Sequence, residues 1–295
     1  MRIPPARLDR HDPQGPWQTW VAGLPRLARD VMAQWELVED GEQRHGHVAN
    51  VVMVRTADGD PAVLKLGLPH AEATHEHLAL QHWHGRGAVR LVRADPGRGA
   101  LLLERLQTRD LSEAWDVEAC EIVGGLYGRL HVPAPPQLSD LTTSVAGWTD
   151  DLASLPRDAP VPRRFVEQAV SLGRSFLADE ASTGTMIHGD LHYENVLAAD
   201  RAAWLAIDPK PVSGDPHYEI APLLWNRWDE LAGDVRGGVR RRFHAVLDAA
   251  GLEEERARDW VVVRMLHLVM WELDGRSPDN DRITRHLTIA KAVQD

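Results

Sequence analysis

Asp190, Asn195 and Asp208 are three oxygen-bearing side chains carried by two short stretches, His188-Gly189-Asp190-Leu191-His192-Tyr193-Glu194-Asn195 and Ile207-Asp208-Pro209. Their types suit phosphoryl transfer. Mg²⁺ is a hard cation that takes oxygen ligands in a near-octahedral shell, with one or two protein groups and with phosphate and water completing the set. Asn195 and Asp208 are the candidate ligands. A carboxylate beside such a metal but off it orients an acceptor hydroxyl and takes its proton as the phosphoryl group moves. Asp190 is the candidate for that role.

The spacing narrows the reading. Asp190 and Asn195 stand at the separation of the Asp and Asn in the protein-kinase loop H-R-D-x-x-x-x-N, and Asp208 takes the place of the metal-binding Asp of D-F-G. Gly and Asp alone are ordinary turn residues, so the joint pattern carries the argument. With His-Gly-Asp where protein kinases have His-Arg-Asp, the chain resembles the aminoglycoside phosphotransferases. Ile207-Asp208-Pro209-Lys210-Pro211 and the run from Gly214-Asp215-Pro216-His217-Tyr218-Glu219 to Asn226-Arg227 are similar to the streptomycin 6-kinase and hydroxyurea-resistance kinase branch of that family. The resemblance covers most of the chain and is strongest over residues 185–228. It implies an α+β, bilobal protein-kinase-like fold with a small N-terminal antiparallel-sheet lobe and a larger, mainly helical C-terminal lobe. It also implies ATP and Mg²⁺ as cofactors and a small cationic acceptor, with streptomycin, at its 6-hydroxyl, as the substrate of that branch. In the loop itself, His188 is expected to hold the turn by hydrogen bonding, and His192 to be structural or to face the substrate.

These loops need a frame. Residues 48–55 and 62–66 read as two strands joined by a turn at Asp58-Gly59. Ala62-Val63-Leu64-Lys65 is similar to the kinase V-A-I-K strand, which makes Lys65 the expected phosphate ligand. A lysine ending an apolar strand often only reaches for solvent, but this one precedes a helix and lies upstream of the loop. That helix, over residues 71–84, should offer an acid to Lys65, Glu76 by preference with Glu72 in reserve. Its histidines at 75, 77, 82 and 84 lack the H-E-x-x-H spacing and read as a solvated face. Residues 40–47 are expected to form a loop over the phosphates through Gly41 and Gly46, although the chain contains neither G-x-G-x-x-G nor a Walker A sequence. Residues 89–94 and 100–106 read as two further strands, with backbone groups of Glu104 and Leu106 placed to bind adenine.

Past residue 106 the pattern turns helical, over 116–131, 141–155, 162–178, 235–249, 253–273 and 281–293, which divides the chain into 1–106 and 107–295. Only residues 209–216 separate Asp208 from the next helical stretch, too few for a peptide-binding activation segment, so a small acceptor is expected. Glu219 stands where the family has an Asp, expected to brace the catalytic loop. The last helices are expected to wall the acceptor pocket. Of their acids Asp229, Glu230, Glu272 and Asp274, the pair beside Trp271, Glu272 and Asp274, is favoured for a cationic ligand, while Arg264 and the arginines of 236–242 are available to neutralise others.

Composition agrees with a catalytic domain. The 295 residues are 43% hydrophobic, enough for real cores, and the net charge of −11 argues against a nucleic-acid partner, which calls for a basic face. The single cysteine, Cys120, permits no internal disulfide and reads as a packing residue. The first residues lack the apolar centre of a signal peptide, and no run of about 18 apolar residues exists to span a bilayer. A cytoplasmic nucleotide-using enzyme with no membrane or nucleic-acid partner is the expectation. Two rivals stand beside it: a kinase of hydroxyurea, an amino sugar or an amino alcohol, and a catalytically silent nucleotide-binding scaffold.

Overall fold

A computed structural model describes residues 15–45, 49–68, 74–273 and 278–294. The chain packs as two compact units. One holds the described residues up to Thr108 together with Ala198–Lys210, and the other holds Arg109–Leu197 and the residues from Pro211 onward. A single division at residue 106 therefore does not describe the packing, because the stretch carrying Asp208 returns to the first unit.

In the first unit, helix α1 (Pro16–Gln34) precedes strands β1 (Val38–His45), β2 (Ala49–Arg55) and β3 (Pro61–Gly67), helix α2 (Glu76–Trp83), and strands β4 (Leu91–Asp95) and β5 (Ala100–Glu104). The strands form one antiparallel sheet in the order β1-β2-β3-β5-β4. Alternation decides its faces. Val52 and Val54 of β2 and Ala62, Leu64 and Leu66 of β3 are buried against Leu24, Leu27, Val31 and Trp35 of and just beyond α1. Lys65 alternates with that set and so belongs to the opposite face. Helix α1 begins with Pro16 in its first turn and continues through Pro25.

Of the expected phosphate-covering loop at 40–47, the described part, 40–45, is strand. Residues 38–45 form β1, paired with β2 through an irregularity between Glu39 and Gln43. Gly41 sits in that irregularity at φ 135°, a conformation that favours glycine. Gly46 lies outside the described residues, as do Glu72 and Asp274.

The second unit contains α3 (Asp116–Leu130), β6 (Val132–Pro133), α4 (Leu141–Ala153), α5 (Arg163–Leu177), β7 (Thr185–Ile187) and the start of β8 (Val196–Ala198). After β9 (Trp204–Ala206), which lies in the first unit, it resumes with β10 (Val212–Gly214), α6 (Ala221–Trp225), α7 (Val235–Ala250), α8 (Glu254–Leu273) and α9 (Asn280–Ala292). Strands β10, β7 and β6 pair antiparallel. Helix α8 is buried on every side from Trp260 to Leu266, as expected of a helix surrounded by others. Its Trp260 stacks on Phe176 at 3.8 Å and meets Tyr218 edge-on at 5.7 Å, joining α5 and the segment after β10 in one core with Leu141, Val145 and Ile187. No described helix is long and apolar enough to cross a membrane.

Candidate active site

Within the first unit, helix α2 buries Glu76, Ala79, Leu80 and Trp83, the i, i+3, i+4, i+7 stripe of an amphipathic helix. Its opening residue is thereby turned inward. Lys65 Nζ donates to Glu76 Oε1 at 2.6 Å and also to the Asp208 carboxylate. Burial alone would lower the Lys65 pKa, but the carboxylates of Glu76 and Asp208 outweigh it and hold the ammonium above its ordinary range. Burial raises the Glu76 carboxyl, opposed by the Lys65 charge. Asp208 follows β9 at φ 57°, a left-handed conformation that Asp adopts more readily than most residues. Its side chain remains 43% exposed, against 13% for Lys65 and 7% for Glu76, so it is the most accessible of the trio.

Within the second unit the loop after β7 is tied by its own polar groups. His188 is fully buried, and its Nδ1 accepts from the Asp190 N–H at 3.3 Å. Asn195 Nδ2 donates to the Asp190 carbonyl at 2.9 Å and approaches His192 Nε2 at 3.1 Å. An amide nitrogen only donates, so His192 Nε2 accepts and the ring proton is assigned to Nδ1, which is buried with no hydrogen-bond partner among the described residues. With both amide hydrogens engaged, Asn195 Oδ1 is the atom left to act as a ligand, an oxygen donor of the kind Mg²⁺ takes. Gly189 turns at φ 83°, and its N–H donates to Glu219 Oε1 at 2.6 Å. Glu219 is fully buried, pairs with His131 Nε2 at 2.7 Å, and has its backbone carbonyl bound by the Tyr127 hydroxyl at 2.9 Å.

Beyond the loop, the Tyr193 hydroxyl reaches Asp116 at 3.2 Å, the Leu223 carbonyl at 3.3 Å and Cys120 Sγ at 3.4 Å, with Arg227 and Arg242 over its ring. Cys120 is fully buried, and burial lifts its thiol to a pKa of about 11, as a packing residue requires.

A family model described as aminoglycoside/hydroxyurea antibiotic resistance kinase matches residues 34–275 of this sequence. The chain belongs to that kinase family. Its relatives include a streptomycin 6-kinase of Streptomyces glaucescens, 38% identical over 94% of this chain and 91% of the relative. A hydroxyurea phosphotransferase of Kitasatospora aureofaciens is also 38% identical, over 86% of this chain and 75% of the relative. The protein-kinase-like fold is shared with a thermostable mutant of the aminoglycoside phosphotransferase APH(4)-Ia, solved in a ternary complex with ADP and hygromycin B. That match has a TM-score of 0.60 at 14% identity and covers 90% of this chain and 97% of that one.

The side chains of two expected ligand positions of this kinase are engaged by arginines. Glu104 spends its backbone N–H on the Arg90 carbonyl at 3.0 Å, and its carboxylate accepts from the Arg90 N–H at 2.7 Å and from Arg201 at 2.8 Å. Arg201 also binds the carbonyls of Gly85 and Ala88, so the Glu104 side chain is part of a staple that holds 198–210 to the sheet. Leu106 lies past the end of β5, half-buried. Glu272 is only 2% exposed and is met by Arg282 of α9 at 3.3 Å. It is an internal tie rather than an open acid for a cationic ligand.

Sequence reasoning took Arg242 and Arg264 only as neutralisers of acids and missed the backbone carbonyls they bind, Leu223, Asn226 and Arg227 for the first and Tyr218 and Gly189 for the second. Arg242 is fully buried and paired with Asp116 at 2.9 Å, whereas for Arg264 the interruption of Val261-Val262-Val263 before Met265-Leu266 was the available signal.

Proposed function

We infer that this kinase transfers the γ-phosphoryl group of ATP to a hydroxyl of a small cationic acceptor, with the 6-hydroxyl of streptomycin as the first candidate. The observation that carries the reading is the Lys65 ammonium held between Glu76 and Asp208. Two of its three N–H donors are engaged there, which leaves the third for a phosphate oxygen of the nucleotide. Asp208 and Asn195 Oδ1 are the groups that would hold Mg²⁺. When bound, the ion offsets the negative charge of the phosphate oxygens. Asp190 orients the acceptor hydroxyl and takes its proton as the oxygen–phosphorus bond forms and the bond to ADP breaks.

Family membership supports the substrate class, and the added negative charge suits inactivation of an antibiotic whose target is an anionic RNA. Under this reading the use of ATP places the enzyme in the cytoplasm. Hydroxyurea is the second acceptor to weigh, since the hydroxyurea phosphotransferase has the same 38% identity as the streptomycin 6-kinase, over less of the chain. Coupled measurement of ADP release with streptomycin and with hydroxyurea decides between them. Release should depend on the acceptor and fall by at least about 100-fold in Asp190→Asn, the usual scale for a lost general base. Acceptor-dependent release that survives the substitution refutes the role given to Asp190.

A further inference from the structure

The peptide joining Gly189 to Asp190 is gripped at both ends. Its N–H, on Asp190, donates to His188 Nδ1 at 3.3 Å, and its carbonyl, on Gly189, accepts from Arg264 Nη2 at 2.9 Å. The plane of this peptide sets the direction in which the Asp190 side chain leaves the backbone. Arg264 therefore bears on the carboxylate without touching it.

Arg264 is 7% exposed and sits in the apolar run of α8, where a charge is costly unless well paired. No carboxylate pairs with it among the described residues; its guanidinium lies 4.1 Å over the Tyr218 ring and 5.1 Å from that of Trp225, and its Nη1 donates to the Tyr218 carbonyl at 3.0 Å. Tyr218 immediately precedes Glu219, which holds the Gly189 N–H. One planar fork thus binds the segment carrying Glu219 to the carbonyl in front of Asp190, a geometry that a guanidinium supplies and a single ammonium does not.

We propose that Arg264 is a positioning residue for the phosphoryl transfer, fixing the Gly189 carbonyl so that Asp190 meets the acceptor hydroxyl. This rests on the reading of Asp190 as the general base. The variants Arg264→Met and Arg264→Lys are to be compared with the unaltered chain, each also combined with Asp190→Asn. With ATP and streptomycin, either Arg264 variant should lower kcat by about 10-fold to 100-fold while leaving the KM for ATP within about 3-fold, the pattern of a misplaced group rather than a lost binding contact. In the Asp190→Asn background the same changes should cost less than about 3-fold, since Arg264 acts through that side chain.

Equal losses in both backgrounds, or a raised KM with kcat untouched, overturn the proposal. Full turnover in Asp190→Asn alone overturns the reading of Asp190 and this assignment with it, whereas lost turnover in Asp190→Asn with normal kcat in both Arg264 variants overturns only the assignment. Amide hydrogen exchange decides the matter without any acceptor, and Arg264→Lys keeps a buried cation should Arg264→Met fail to fold. The peptide spanning 186–195 should exchange at least about 10-fold faster in Arg264→Lys while α3 and α7 stay protected. Unchanged exchange in that peptide counts against the clamp.

Discussion

Lys65 and Asp208 lie 143 positions apart, and the ammonium of the first donates to the carboxylate of the second. The same nitrogen holds Glu76, eleven positions on, so one cation joins a strand, a helix and the turn after β9. The Lys65–Glu76 pair is costly to break, because both charges are kept from water by the structure that provides the partner.

Removing the cation alone should therefore destabilise more than removing the pair. Lys65→Met leaves the Glu76 carboxylate buried without its counter-charge, an arrangement that costs about 3–5 kcal/mol. Lys65→Met with Glu76→Leu should recover most of that loss, though not activity. Urea denaturation of the three proteins measures it, and a single variant as stable as the double contradicts the account.

Asp208→Asn separates chemistry from fold. Asparagine tolerates the left-handed backbone at φ 57°, so the melting temperature should change little. The lost charge should lower kcat by at least about 100-fold, the scale of removing one charge-stabilising group at a transition state. Asp208→Ala should lose stability as well, since a Cβ-bearing residue without that local hydrogen bonding pays roughly 1–2 kcal/mol in this conformation.

The contact of α3 with α7 is testable at two adjacent glycines. A methyl group on Gly124 would stand 2.7 Å from Ala249 Cβ and 2.9 Å from the Val246 carbonyl, whereas one on Gly125 would meet nothing within 4 Å. Gly124→Ala should force the helices apart and cost about 1–3 kcal/mol. Gly125→Ala should stabilise by up to about 1 kcal/mol through helix propensity. Thermal unfolding of both variants reads the difference, and equal effects would show that the helices do not approach this closely.

Acid lability should come partly from two buried histidines. Burial, with Arg264 nearby, lowers His267 from 6.5 to about 3, and burial, with Arg285 and Arg282 nearby, lowers His286 to about 4. Both stay neutral when folded and take up protons when unfolded. Their stabilising contribution is thus complete above pH 6.5 and is lost as pH falls toward 4 and then 3. Each steepens the decline by up to about 1.4 kcal/mol per pH unit within its window. Stability measured between pH 7 and pH 4 should fall less steeply in His286→Gln, while a parallel curve would show that His286 is protonated in the folded chain.

Local periodicity carried much of this protein's organisation. Alternation in Ala62-Val63-Leu64-Lys65-Leu66 separates Lys65 from the buried set, and the helical stripe beginning at Glu76 turns that acid inward. The positions of α3 to α9 followed from apolar spacing for the same reason: a helix or strand must hide one face, and that need is written in consecutive residues. The spacing of Asp190, Asn195 and Asp208 likewise named a chemistry, since metal ligands and a general base are chosen by side-chain type.

Tertiary packing decided which partners the charges found. Glu104 read as a strand end facing a ligand until Arg201, 97 positions away, claimed its carboxylate. Glu272 read as an open acid but is buried with Arg282 against it, and residues 40–47 read as a loop until β2 supplied the hydrogen bonds that made 38–45 a strand. Arg264 read as a counter-ion for acids, yet its donors end on backbone carbonyls 46 and 75 positions away. A burial pattern records only that a side chain is removed from water; the partner that makes a buried charge tolerable comes from a distant segment, and its identity exists only once the chain has closed around both.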